Sequence, residues 1–287
     1  MVNAEPITDP VTYHGEGPFW DEGAGRLLCM DVLNGSIIEI GPTGRVVRYQ
    51  CPSPVVTVIR RRVAGGFVLA VERGVVVTDA RFSQFEEFAE LSLDPGVRSN
   101  DGGCDSSGNF VIGTMAYDER SGGGTVYRVT PDRQVVELVS PVSISNGVQW
   151  SHDGLRAFYI DSPTRRIDVF DVDPQTGDWS GRRPHIAVRN AEGVPDGMAI
   201  DEEGGLWVAL WGAGAVNHYD EAGLLVERIQ VPGISQVSSC AFGGSRRNVL
   251  YITTSRLGLS DGCEPDAGAV FAVQTGSRGA PQGEFGG

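Results

Sequence analysis

An oxygen-bearing side chain four residues ahead of an apolar or aromatic residue recurs at one phase along this chain: Glu16 before Trp20, Asn100 before Cys104, Asn146 before Trp150, Asp196 before Ile200 and Ser238 before Phe242. The closing positions lie roughly 40–50 residues apart, except for a first interval about twice as long. A further copy fits that gap, because residues 66–70 (GFVLA) mirror residues 205–209 (GLWVA), and it puts Thr57 in the slot. A period of this length, with short apolar runs and no helix-length stripe, is the signature of four-stranded propeller blades. Six copies fill the chain and predict an all-β fold, a six-bladed β-propeller with four-stranded blades around a central channel. Equivalent positions in a closed ring are related by rotation, so side chains from the slot converge on the axis and separate repeats build one pocket.

The texture between slots agrees. Arg166-Ile167-Asp168-Val169-Phe170-Asp171-Val172 alternates strictly, as a half-buried strand does. Asp153-Gly154 and Glu203-Gly204-Gly205 supply the turn chemistry of tight hairpins. Residues 82–93 come nearest to a helical pattern but read better as a strand and its turn. The 40 glycines and 16 prolines are spread through turns and mark no linker. Residues 1–274 therefore read as a single domain, and residues 275–287 as a loose tail. Residues 4–14 precede the first slot and can supply a strand to the last blade, closing the ring. Trp20, Trp150 and Trp207 read as core residues between blades.

Several function classes lose their signatures. A formal net charge of −14 would repel nucleic acid and otherwise serves solubility. The first residues carry neither a basic nor an apolar leader pattern, and no run approaches membrane length, so a cytoplasmic monomer with no membrane or nucleic-acid partner is the default expectation. Five cysteines, an odd set without CxxC spacing, read as reduced structural residues. The four histidines show no zinc-site spacing. A GxSxG elbow is missing, and the run Ser121-Gly122-Gly123-Gly124 lacks the Lys-Ser/Thr of a phosphate loop.

A set of oxygen donors remains: Glu16, Asn146 and Asp196, with Asn100 beside them. Three donors carrying two negative charges suit a hard or borderline divalent cation, with water filling its open positions. Such a cation can polarise a carbonyl and lower the pKa of a water. Each residue has a plainer alternative, since a lone Asn-Gly or Asp-Gly is usually a turn. The shared phase across blades is what sets these apart.

Gly15-Glu16-Gly17-Pro18, Arg98-Ser99-Asn100-Asp101-Gly102, Gly113-Thr114-Met115, Ser145-Asn146-Gly147, Pro195-Asp196-Gly197-Met198 and Ala209-Leu210-Trp211-Gly212 together resemble the regucalcin/gluconolactonase/luciferin-regenerating enzyme family. The resemblance runs in order from about residue 13 to about residue 273. It implies hydrolysis of a small-molecule sugar lactone to the aldonic acid, with one divalent cation (Ca, Zn, Mn, Mg or Fe) in the channel. Carried over, Glu16, Asn146 and Asp196 become the metal ligands, and Asp196 also the general base. Arg98 and Asn100 become substrate contacts, and so does Asp118, where mammalian members carry Glu. Hydrolysis of another lactone or a phosphotriester, and a non-catalytic cation-binding propeller, remain the alternatives.

Overall fold

The computed structural model of the protein describes residues 2–189 and 193–287. Six antiparallel blades follow one another around a ring, with the bounds Gly15–Gln50, Val56–Glu90, Val97–Val142, Ser145–Ala187, Val194–Gln230 and Val237–Gln274. Each blade begins with its innermost strand, and these six strands touch in succession until the last meets the first. Arg166–Val172, the segment of strict alternation, is the third strand of blade 4. Residues 82–93 contain the outer strand Phe85–Glu90 of blade 2. Among the described residues no helix is long and apolar enough to cross a membrane.

The core is divided among the seams between blades. Phe19, Leu28 and Ile59 belong to the seam of blades 1 and 2, and Val111, Tyr159 and Phe170 to that of blades 3 and 4. Trp207 and Phe242 join blades 5 and 6, while Trp20 stacks on Tyr251 across the closing seam. Because both faces of a blade are buried against neighbours, central strands such as Phe67–Val71 are apolar throughout instead of alternating.

Closure uses the N-terminal segment. Glu5–Pro6 is the outer strand of blade 6, antiparallel to Phe271–Gln274. Val2–Asn3 runs parallel to Leu225–Gln230 of blade 5, so one short segment ties two blades.

Residues 275–287 are not loose, and the expectation from composition is corrected here. Gly279 N–H donates to the Arg247 carbonyl at 2.7 Å, Ala280 N–H to Ile200 at 3.0 Å, Phe285 N–H to Arg61 at 2.8 Å and Gly286 N–H to Gly108 at 2.9 Å. The segment thus crosses the lower end of the channel from blades 5 and 6 to blades 2 and 3. Phe285 is 0% exposed and meets Phe88 edge-on at 5.1 Å. Glycine here reflects close passage: a Cβ on Gly279 would lie 2.2 Å from Cβ of Phe242. A cavity of about 40 Å³ remains between this strap and the inner strands, lined by Pro18, Asp101, Met198, Cys240 and Pro281 among others.

Replacing Phe285 by Ala should therefore cost about 3–5 kcal/mol of stability, the range for a fully buried aromatic. Urea denaturation of the variant should show a lowered midpoint with an unchanged slope.

Candidate metal and substrate site

Every inner strand breaks register with its partner at the repeated slot. The shifts fall between Glu16 and Phe19, Val56 and Val58, Ser99 and Gly102, Asn146 and Val148, Pro195 and Met198, and Val237 and Ser239. A bulge bends its strand and re-aims the side chain at the break. The slot residues all lie toward the N-terminal ends of their strands, at the opposite end of the channel from the strap. Gly17 shows how tightly the strands converge there: it has φ +51°, and a Cβ would lie 2.4 Å from the Thr57 carbonyl oxygen.

Two slots are used up by neighbours. Thr57 Oγ1 bonds Ser99 Oγ at 3.0 Å, and Ser238 Oγ donates to the Gly15 carbonyl at 2.5 Å. Both are fully buried. The other four, Glu16, Asn100, Asn146 and Asp196, are left to line the channel. Glu16 and Asn100 are partly open, while Asn146 and Asp196 are 6% and 7% exposed.

The electrostatics are those of crowded acids in little water. Burial raises Glu16 well above the usual carboxylate range, and the charges of Asp196 and Asp101 raise it further. Asp196 is raised by burial and then by Asp101, against a hydrogen bond from Gly197 N–H. Asp101 is itself raised by burial, with Gly102 N–H, Arg60 and Gly147 N–H partly offsetting it. Asp101 was not singled out as a site residue in the sequence, where it stands only within the motif Arg98-Ser99-Asn100-Asp101-Gly102. Its charge against that of Glu16 and Asp196 shows only in three dimensions.

A run of hydrogen bonds crosses blades 3, 4 and 5 beside these acids. Arg98 Nη1 donates to Asn100 Oδ1 at 2.7 Å, and Asn100 Nδ2 donates to both the Ser145 carbonyl and Asn146 Oδ1 at 2.9 Å. Asn146 Nδ2 donates to Ser162 Oγ at 2.8 Å, and Ser162 Oγ donates to the Pro195 carbonyl at 2.7 Å. Arg98 is 5% exposed, its guanidinium lies 5.7 Å from the Tyr117 ring centre, and its Nε has no partner among the described residues. Tyr117 is anchored by its hydroxyl to Glu72 Oε1 at 2.7 Å. His14 is a neighbour that the sequence did not single out. Its Nδ1 bonds Ser255 Oγ at 2.9 Å, its ring meets Trp211 edge-on, and burial together with Arg98 lowers its pKa to about 4.

The structure brings Glu16, Asn146, Asp196, Arg98 and Asn100 together and does not bring Asp118 to them. Its carboxylate pairs with Arg120 at 3.0 Å and is 65% exposed. The short Asp side chain is captured by the arginine two residues on, and Glu119, between them, is the acid of this segment whose charge reaches Arg98, after that of Glu16.

Among the described residues no three His, Cys, Asp or Glu side chains converge closely enough to hold a metal by themselves. A cation here would have to take two carboxylates, the amide oxygen of Asn146 and water. The donor chemistry fits a hard divalent ion: oxygen ligands only, two of them acids whose charge lacks compensation.

The SMP-30/gluconolactonase/LRE-like region profile matches residues 14–256. The chain belongs to this family. Regucalcin of Oryctolagus cuniculus is 34% identical over 298 residues, which cover 100% of this chain and 99% of that protein. A Bacillus subtilis (strain 168) protein, YvrE, provisionally named a sugar lactone lactonase, is 32% identical over 265 residues, 91% of this chain and 90% of its own. The crystal structure of a calcium-binding protein, regucalcin, from Agrobacterium tumefaciens (strain C58) superposes with a TM-score of 0.93 at 28% identity, covering 99% of this chain and 97% of that one. Lactone hydrolysis is thus the activity that the family's names carry.

The raised carboxylates make a prediction with a definite sign. Folded protein holds protons that the unfolded chain releases above about pH 4, so metal-free protein should lose stability as pH rises from there through the raised values. Urea midpoints of chelator-treated protein should fall across that window. Glu16→Gln should flatten the fall, and adding a divalent cation at neutral pH should reverse it for the wild type alone.

Proposed function

We propose that this protein hydrolyses a sugar lactone to the aldonic acid, using one divalent cation held by Glu16, Asn146 and Asp196. The observation that carries this reading is the meeting of two proton-raised carboxylates and one oriented amide oxygen beside a buried arginine with an unspent donor. When bound, the cation would supply Lewis-acid polarisation of the lactone carbonyl and a lowered water pKa.

The chain's own groups divide the remaining work. Arg98 spends Nη1 on the Ser99 carbonyl and Asn100, which fixes the guanidinium and its positive charge beside the site. Asn100 keeps one lone pair on Oδ1 that can accept from a substrate hydroxyl. Asp196, once ionised, can take the proton of the attacking water, although sharing its charge with a cation would weaken it as a base. The ring C–O bond then breaks, and the ring oxygen leaves as the new hydroxyl with the proton that Asp196 took from the water. A sugar lactone is an activated ester, so the absence of a serine or cysteine nucleophile from the motifs is no obstacle. The polar wall of Arg98, Asn100 and Asn146 favours a hydroxylated ring over an aromatic lactone or a phosphotriester.

The test is to strip the protein with chelator, restore single divalent cations and follow acid release from a panel of pentono- and hexonolactones. Turnover should return only with a cation and should fall about 10²–10⁴-fold in Asp196→Asn, the usual contribution of a general base. Cation binding without turnover on any lactone would overturn the reading and favour a binding propeller.

A further inference from the structure

Ser162 lies outside every motif that marks the site, in the short turn Ser162–Thr164 that follows the second strand of blade 4. It is 4% exposed. Its hydroxyl has two partners, and their chemistry is unequal. The Pro195 carbonyl, one residue before Asp196, can only accept, so Ser162 must donate to it. The oxygen of Ser162 is then left to accept, and whatever faces it from Asn146 must carry hydrogen. Asn146 therefore turns Nδ2 toward Ser162 and Oδ1 toward Asn100.

The other end of the run fixes the same orientation independently. Arg98 can only donate, so Asn100 presents Oδ1 to it and Nδ2 away from it. The two hydrogens of that nitrogen meet two acceptors, the Ser145 carbonyl and Asn146 Oδ1. From a donor-only guanidinium to an acceptor-only carbonyl, the run has one consistent direction, and reversing either amide would set donor against donor or acceptor against acceptor. Asn146 Oδ1 accepts one bond, from Asn100, and retains a second lone pair.

We propose that Ser162 is a positioning residue that fixes the amide of Asn146 with its oxygen toward the axis and thereby sets the protein's affinity for a divalent cation. This rests on the reading of Asn146 as a cation ligand. Without the Ser162 hydroxyl, Asn146 Nδ2 loses its acceptor, and the amide is held in this orientation from the Asn100 side alone. Outer partners of metal ligands typically change affinity 10–100-fold when removed.

The experiment is calorimetric titration of chelator-treated protein with Ca²⁺ and Mn²⁺, in the absence of any lactone, for wild type, Ser162→Ala and Ser162→Thr. Ser162→Ala should bind both ions about 10–100-fold more weakly, while Ser162→Thr, which keeps the hydroxyl, should recover most of the loss. Equal affinity in wild type and Ser162→Ala would overturn the proposal, as would a wild type that binds neither ion. Should Ser162→Ala fail to fold, the side-chain amide resonances of Asn146 in metal-free wild type decide. Nδ2 hydrogens close to the Ser162 β-hydrogens support the assignment, and the opposite orientation overturns it. Because no substrate is present, tight cation binding by a wild type that turns over no lactone would defeat the lactonase reading and leave this one standing.

Discussion

Like charges held close together in a place with little water are the constraint on which the rest of this molecule depends. Burial raises Glu16, Asp101 and Asp196 alike, the charge of Asp101 raises the other two further and that of Asp196 raises Glu16, and the nearby arginines Arg60 and Arg98 do not fully offset this. Left alone, such a group would spread apart or admit solvent, because unpaired buried charge costs several kcal/mol per ion. The ring resists this through its seams: each inner strand is wedged between two apolar interfaces, so a slot residue cannot retreat without opening both. A propeller suits such a site because the strain at the axis is shared by all its blades.

The fold was legible because one rule repeats. A bulge at the start of each inner strand needs a particular local sequence, often with glycine after the slot, and the same sequence phase therefore marks the same place in space. The rule reports position and not use. Thr57 and Ser238 hold the slot as faithfully as Asp196, yet their hydroxyls bind neighbouring strands and leave the channel to the others. Which slots matter is decided by contacts between blades, which lie far apart in sequence.

The failures have the same origin. Residues 275–287 look unstructured because their glycines and prolines form no ladder, while the hydrogen bonds they make go to other blades, some of them, such as those to Arg61 and Gly108, more than a hundred residues away. Asp118 holds the position at which the family resemblance placed a substrate contact, but Arg120 was there to claim it. Ser162 was invisible for a third reason. Its importance lies in what it donates to and accepts from, and hydrogen-bond direction has no sequence signature.

The strap beneath the channel makes the protein a vessel instead of a tube. With Ala280, Pro281 and Gln282 lying over one end of the axis, the slots are reached from the other. Whatever enters must leave by the way it came. Under the proposed hydrolysis, the departing acid and the arriving lactone share that single passage. Traffic at the mouth is then one-at-a-time, and an accumulating acid occupies the same passage that fresh substrate needs.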